Sequence, residues 1–152
     1  MNYIQGSPRE QILLLPEAIE DFIAKENPVR FINAFVDNLD LRELGFTSAV
    51  LSSTGRPPYD PADLLKLYLY GYLHKKRSSR KLEEEATRNL ELLWLLKKLT
   101  PDHKTIDNFR KNNPESLKNV CREFTALCHD QDLFAGDLIA IDGSKFLSLI
   151  HI

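Results

Sequence analysis

Apolar residues recur at helical spacing through most of the chain, and the first strand-like apolar run comes only near residue 140. The opening segment Gln11-Ile12-Leu13-Leu14-Leu15-Pro16 ends at a proline, which has no N–H and pushes the preceding residue toward extended backbone, so this stretch is predicted to be extended. Pro16 to Ile23 is predicted to be a helix, with proline in its first turn and acids near its start. Asn27-Pro28 opens a second helix in which Val29, Ile32, Phe35, Val36 and Leu39 share one face, and Asp40 through Gly45 closes that unit. Ser52 to Tyr59 is rich in turn formers and predicts a loop.

Asp60-Pro61 is an N-cap followed by proline at the first helical position. It starts Ala62 to Leu73, apolar on nearly every side, as in the buried centre of a bundle. Ser78-Ser79 caps the next helix, with Leu82, Ala86 and Leu90 on one face and the acidic run Glu83 to Glu85 outside. Leu92 to Leu96 either continues that helix or forms a short separate one, ending near Thr100-Pro101. His103-Lys104-Thr105 is expected to cap a helix bearing Ile106, Phe109, Arg110 and Lys111. Pro114 begins the last long helix, to His129, with Leu117, Val120, Cys121, Phe124, Leu127 and Cys128 at core spacing. Leu138 to Ile141 is the first strand-like run, which places a domain boundary near residues 130–137.

Composition changes this picture little. The 152 residues, 43% hydrophobic and 28% charged, suit one ordinary globular domain, or a helical domain with the start of another. No apolar run is long enough for a bilayer span, and the start has no secretory pattern. Two cysteines make no disulfide framework, and a reducing cytoplasm is expected. Seven residues apart on one helical face, Cys121 and Cys128 suit a structural role better than a metal site with His129.

Charge is more informative. Residues 1–63 carry 5 Lys/Arg against 10 Asp/Glu, residues 64–111 carry 12 against 6, and residues 112–152 carry 3 against 6. A basic middle between acidic flanks can meet a polyanion, or it can be a solvated helix face.

Five motifs in order carry a family resemblance: Tyr3-Ile4-Gln5-Gly6, Thr54-Gly55-Arg56-Pro57-Pro58-Tyr59-Asp60-Pro61, Tyr70-Gly71-Tyr72-Leu73, Arg77-Ser78-Ser79-Arg80-Lys81-Leu82-Glu83 and Ile141-Asp142-Gly143-Ser144-Lys145-Phe146. Together they resemble the N-terminal part of a bacterial insertion-sequence transposase of the IS1182 group, within the IS4/IS5-like DDE enzymes. The resemblance implies a mainly α fold: a multi-helix DNA-binding domain over 1–130 with a helix-turn-helix-like unit, a linker over 131–137, and over 138–146 the first β-strand of an RNase H-like catalytic domain. Its implied partner is double-stranded DNA, the terminal inverted repeats of the element, in the bacterial cytoplasm and nucleoid. A helical dimerisation module acting on a full-length transposase is the alternative.

The basic residues fit that division. Arg77, Arg80, Lys81, Arg88, Lys97 and Lys98 cluster at predicted helix ends, and Lys104, Arg110 and Lys111 flank the helix after Thr105. The unit would span Ser78 to Lys111 and present that last helix to the major groove, with basic edges on phosphates and Asn108 or Arg110 at base edges. Arg56, on a proline-stiffened loop, is a candidate phosphate or minor-groove contact, and the same loop also reads as a rigid connector with Tyr59 packed on the helix.

By resemblance Asp142 is the first acid of the catalytic set. Such a set holds two Mg²⁺ ions about 3.5–4 Å apart, one activating the nucleophile and one the leaving oxygen. No cofactor is expected for this chain, and Mg²⁺ is expected for the full-length enzyme, because the partner acids do not follow Asp142. A lone Asp cannot complete the clamp, so no strand cleavage is expected. Leu147 to Ile152 departs from the family pattern, and CTG TCT CTT ATA CAC ATC, the mosaic end of tagmentation adapters, encodes these residues. The tail is expected to be an adapter-encoded artefact.

Overall fold

Side-chain caps start five of the six helices found among the described residues of the computed structural model, which are 3–15, 17–46 and 58–130. Asn27 accepts from the Val29 N–H at 2.9 Å and opens α1, Pro28–Asp37. Asp60 accepts from Ala62 at 2.8 Å and opens α2, Pro61–Leu73. Ser78 opens α3, Ser79–Arg88, and Asn89 opens α4, Leu90–Leu95. Asp102 accepts from Thr105 at 2.9 Å and opens α5, His103–Asn112, and α6, Pro114–Asp130, follows after one residue. In each cap a short polar side chain satisfies an N–H that the first helical turn leaves orphaned.

Four expectations shift. The helix expected from Pro16 is a single 3-10 turn, Ile19–Phe22, with no buried residue to anchor a longer one. Asn89 adopts extended backbone (ψ 123°) and ends α3, so Leu90 lies in the first turn of α4, 42% exposed, off the face of Leu82 and Ala86. The cap of α5 is Asp102, with His103 already inside the helix. Glu85, expected outside, is buried. Residues 47–57, with Arg56 and most of the loop predicted from Ser52, and everything after residue 130, including Asp142 and the strand-like run, lie outside the described residues.

α2 is the central element. Leu65, Leu67 and Leu69 are within 1% of full burial, and the helix packs against α1, α4 and α5. Phe124 carries α6 into the core, with ring centroids 5.8 Å from Phe31 and 5.2 Å from Phe35. Phe46 stacks on Phe109 at 5.8 Å. Lys66 is buried inside α2 and reaches Asp37 of α1 at 2.9 Å, so its charge is compensated where the two helices meet. No helix among the described residues is long and apolar enough to cross a membrane.

Cys121 and Cys128 are free and buried on α6, and burial pushes both thiols up to about 12. A raised thiol stays protonated, so neither should react with Ellman's reagent at pH 8 in the folded protein, and both should react after denaturation. Rapid labelling of the native protein would contradict this packing.

Candidate nucleic-acid interface

A polar seam joins α3 to α5 at helical spacing. His103 Nδ1 lies 3.0 Å from Glu83 Oε2. One turn on, Asp107 accepts from the Ser79 hydroxyl, and that bond, with the guanidinium of Arg110, holds its carboxyl below the usual carboxylate range. A further turn on, Arg110 donates to the carbonyl of Arg77 and pairs with Asp107 at 3.1 Å. Residues 103, 107 and 110 thus meet 83, 79 and 77, and the two helices run antiparallel. Ile106 and Phe109 face the core, so the seam and the core together fix the rotation of α5.

That rotation leaves a stripe in solvent. Lys104, Asn108 and Lys111 are exposed and stand one residue beyond each seam position, at the i, i+4, i+7 spacing of a single helical face. Their Cα positions span roughly 10 Å. At the N-terminal end of α3, Arg77, Arg80 and Lys81 are exposed as well. None of Arg77, Arg80, Lys81, Lys104 and Lys111 forms a salt bridge among the described residues. Of the remaining candidates, Arg56 lies outside the described residues, Arg110 is committed to the seam, and Arg88 pairs with Glu84 at 3.1 Å and Glu85 at 2.9 Å. α3 and α5 pack directly, but the six-residue α4 intervenes in sequence between them.

Behind this face lies a network that sequence reasoning missed. The Glu85 carboxylate accepts from Asn89 at 3.0 Å, Arg88 at 2.9 Å and Lys76 at 3.0 Å, and Asn89 also donates to the Tyr70 hydroxyl at 3.0 Å. These bonds hold Glu85 down to about 2, the Asn89 amide first, then Arg88 and Lys76. The backbone was also not foreseen. Lys75 (φ 58°) ends α2 and Lys97 (φ 53°) ends α4 in the left-handed region, each within a six-to-one turn closed by Lys76 N–H to Gly71 O at 2.8 Å and Lys98 N–H to Leu93 O at 3.0 Å. Glycine is the usual residue there. No glycine follows either apolar run, so these turns leave no signal in the sequence.

Among the clefts lined by described residues are two that bear cations. One, about 330 Å³, is lined by Ile19, Glu20, Asn33, Trp94, Lys97 and Lys98. Within it the Trp94 indole N–H donates to Glu20 at 2.7 Å, and Arg30 pairs with the same carboxylate while lying 5.0 Å from the Trp94 ring centroid. The other, about 300 Å³, is lined by Tyr68, Tyr72, Lys76, Arg77, Leu82 and Arg110, beside the start of α3. Among the described residues no group of three His, Cys, Asp or Glu could hold a metal ion.

A family described as transposase domain (DUF772) matches residues 17–112, from just before the 3-10 turn through the end of α5. No curated protein matches the chain, and no solved structure does.

Proposed function

Because the chain belongs to the transposase-domain family, which covers more than half of its length, we propose that the α3–α5 face binds the terminal inverted repeats of a bacterial insertion sequence, as the N-terminal part of an IS1182-group DDE transposase. The observation that carries this reading is the exposed stripe of Lys104, Asn108 and Lys111, with Arg80 and Lys81 exposed on the adjoining α3 and no carboxylate among the described residues bridging these cations. An α-helix fits the major groove, and a stripe of roughly 10 Å spans about three base-pair rises. In this docking, which is helix-turn-helix-like, Arg80, Lys81, Lys104 and Lys111 contact phosphates, and Asn108 pairs with an adenine edge. Arg110 holds Arg77 and the helix pair in register and does not itself read bases. The same reading makes Asp142 the first Mg²⁺-binding acid of the catalytic domain, and Arg56 a further backbone contact.

Replacing Arg80 and Lys81 together by alanine removes two phosphate contacts. Duplex affinity should fall about tenfold, and the slope of log K against log salt should lessen by about two, while the melting temperature stays unchanged because both side chains are exposed. Fluorescence anisotropy with a labelled duplex reads both quantities, and an unaltered slope would contradict the assignment.

One observation favours a second reading, self-association as a homodimer. Ile4, Ile12, Leu14 and Leu15 of the N-terminal stretch are at least 83% exposed. An exposed apolar stretch suits a protein partner better than DNA. Sedimentation of the full chain without DNA separates the two: self-association insensitive to salt, with no duplex affinity, supports the dimer reading.

A further inference from the structure

The cleft of Tyr68, Tyr72, Lys76, Arg77, Leu82 and Arg110 differs in kind from its neighbour: three of its six lining residues are cations and none is acidic. The cleft beside Trp94 contains Glu20, whose carboxylate already occupies Arg30. In the cleft without an acid, Lys76 is shared with Glu85 and Arg110 with Asp107, whereas Arg77 forms no salt bridge among the described residues. The remainder of the lining is apolar or aromatic. Leu82 is 1% exposed, the Tyr72 hydroxyl lies 3.5 Å from Thr125 Oγ1, and the Tyr68 hydroxyl bonds to Cys121. With both hydroxyls engaged by α6, the ring bodies are what the cleft offers a ligand. Its volume, about 300 Å³, is at the lower end for small-ligand pockets, so it admits one small planar unit and excludes a duplex.

Two tyrosine rings and three cations in one lining suit a base attached to a phosphate. Bases stack on aromatic side chains with little regard to sequence, and guanidinium and ammonium groups take the backbone. We infer that this cleft receives a single unpaired nucleotide of a DNA strand, its base against Tyr72 and Tyr68 and its phosphate on Arg77 and Lys76. The inference rests on the proposed DNA-binding reading and deepens it. The cleft shares Arg77 with the exposed basic face and Arg110 with the seam, so an unpaired nucleotide flanking a bound duplex lies within reach. No chemical step is involved, only the capture of a base that pairing would otherwise withhold.

The test compares two labelled probes on the full chain: a blunt duplex, and the same duplex carrying a short unpaired tail with a fluorescent aminopurine base. The tailed duplex should bind about tenfold more tightly, with a change in aminopurine emission. Tyr72→Leu keeps apolar volume but loses the aromatic face, and it should abolish the advantage of the tail while leaving blunt-duplex affinity intact. Tyr72→Phe should keep the advantage, and its melting temperature controls for folding. If the blunt duplex binds and the tail adds nothing, the cleft assignment is wrong and the DNA-binding reading survives. A tail advantage that persists in Tyr72→Leu places the contact elsewhere and also overturns it. If neither probe binds, both readings fall.

Discussion

Replacing Gly71 by alanine should lower the stability of the protein by about 2 kcal/mol, although the same change in an ordinary helix interior raises it by about 1 kcal/mol. The reversal comes from what surrounds the missing side chain. A Cβ at Gly71 would stand 2.6 Å from the Lys76 carbonyl oxygen and 2.9 Å from Leu82 Cδ2. Leu82 can shift by a few tenths of an ångström, but the carbonyl has little freedom. Lys76 is tied back by its own N–H to the Gly71 carbonyl at 2.8 Å, across the left-handed Lys75. The glycine of Tyr70-Gly71-Tyr72 is therefore where the chain leaving α2 folds back over its own helix and meets α3. Urea denaturation should show a lower midpoint with an unchanged m-value. A midpoint above that of the parent protein would mean that this close approach does not exist.

The second large effect belongs to Glu85. Truncation to alanine should cost about 2–3 kcal/mol, toward the lower end for breaking a buried ionic network, because Lys76 and Arg88 can turn to water and Asn89 keeps its bond to Tyr70. The loss falls on the junction of α2, α3 and α4, behind the basic face. The pH dependence follows from the direction of the shift. Glu85 titrates at about 2 in the folded protein against an ordinary 4.5, so folding favours the carboxylate. Its contribution is complete above pH 4.5 and is lost as pH falls from there toward 2. Glu85→Gln should flatten that part of the stability profile and lower stability at neutral pH. Parallel profiles for the parent protein and Glu85→Gln over this range would show that the network does not hold the charge.

Much of the helical body was legible because its signals are local. Asn27-Pro28, Asp60-Pro61 and Ser78 cap the helices they were expected to open, and Val29, Ile32, Phe35 and Val36 are buried on one face. What could not be read depends on partners distant in sequence. Glu85 is indistinguishable from Glu83 and Glu84 in an acidic run, and its burial is decided by Lys76 at the end of the preceding helix and Asn89 at the start of the next. Leu90 matches the spacing of Leu82 and Ala86, but Asn89 caps a new helix and turns it outward. The candidate interface divides in the same way. Asn108, Arg110 and Lys111 were expected on the helix after Thr105, whereas the exposed face that Asn108 and Lys111 share with Lys104, and the capture of Arg110 by Asp107 and the Arg77 carbonyl, needed the antiparallel docking of α5 on α3. The cleft under Arg77 draws on three helices and a loop and leaves no local trace.

Central to this account is that the α3–α5 face meets the phosphates of duplex DNA. The most direct measurement is a salt titration of duplex binding by the full chain. The four phosphate contacts proposed above, Arg80, Lys81, Lys104 and Lys111, predict that log K falls linearly with log salt with a slope of about −3 to −4. A slope near zero, or no duplex binding at low salt, would contradict it.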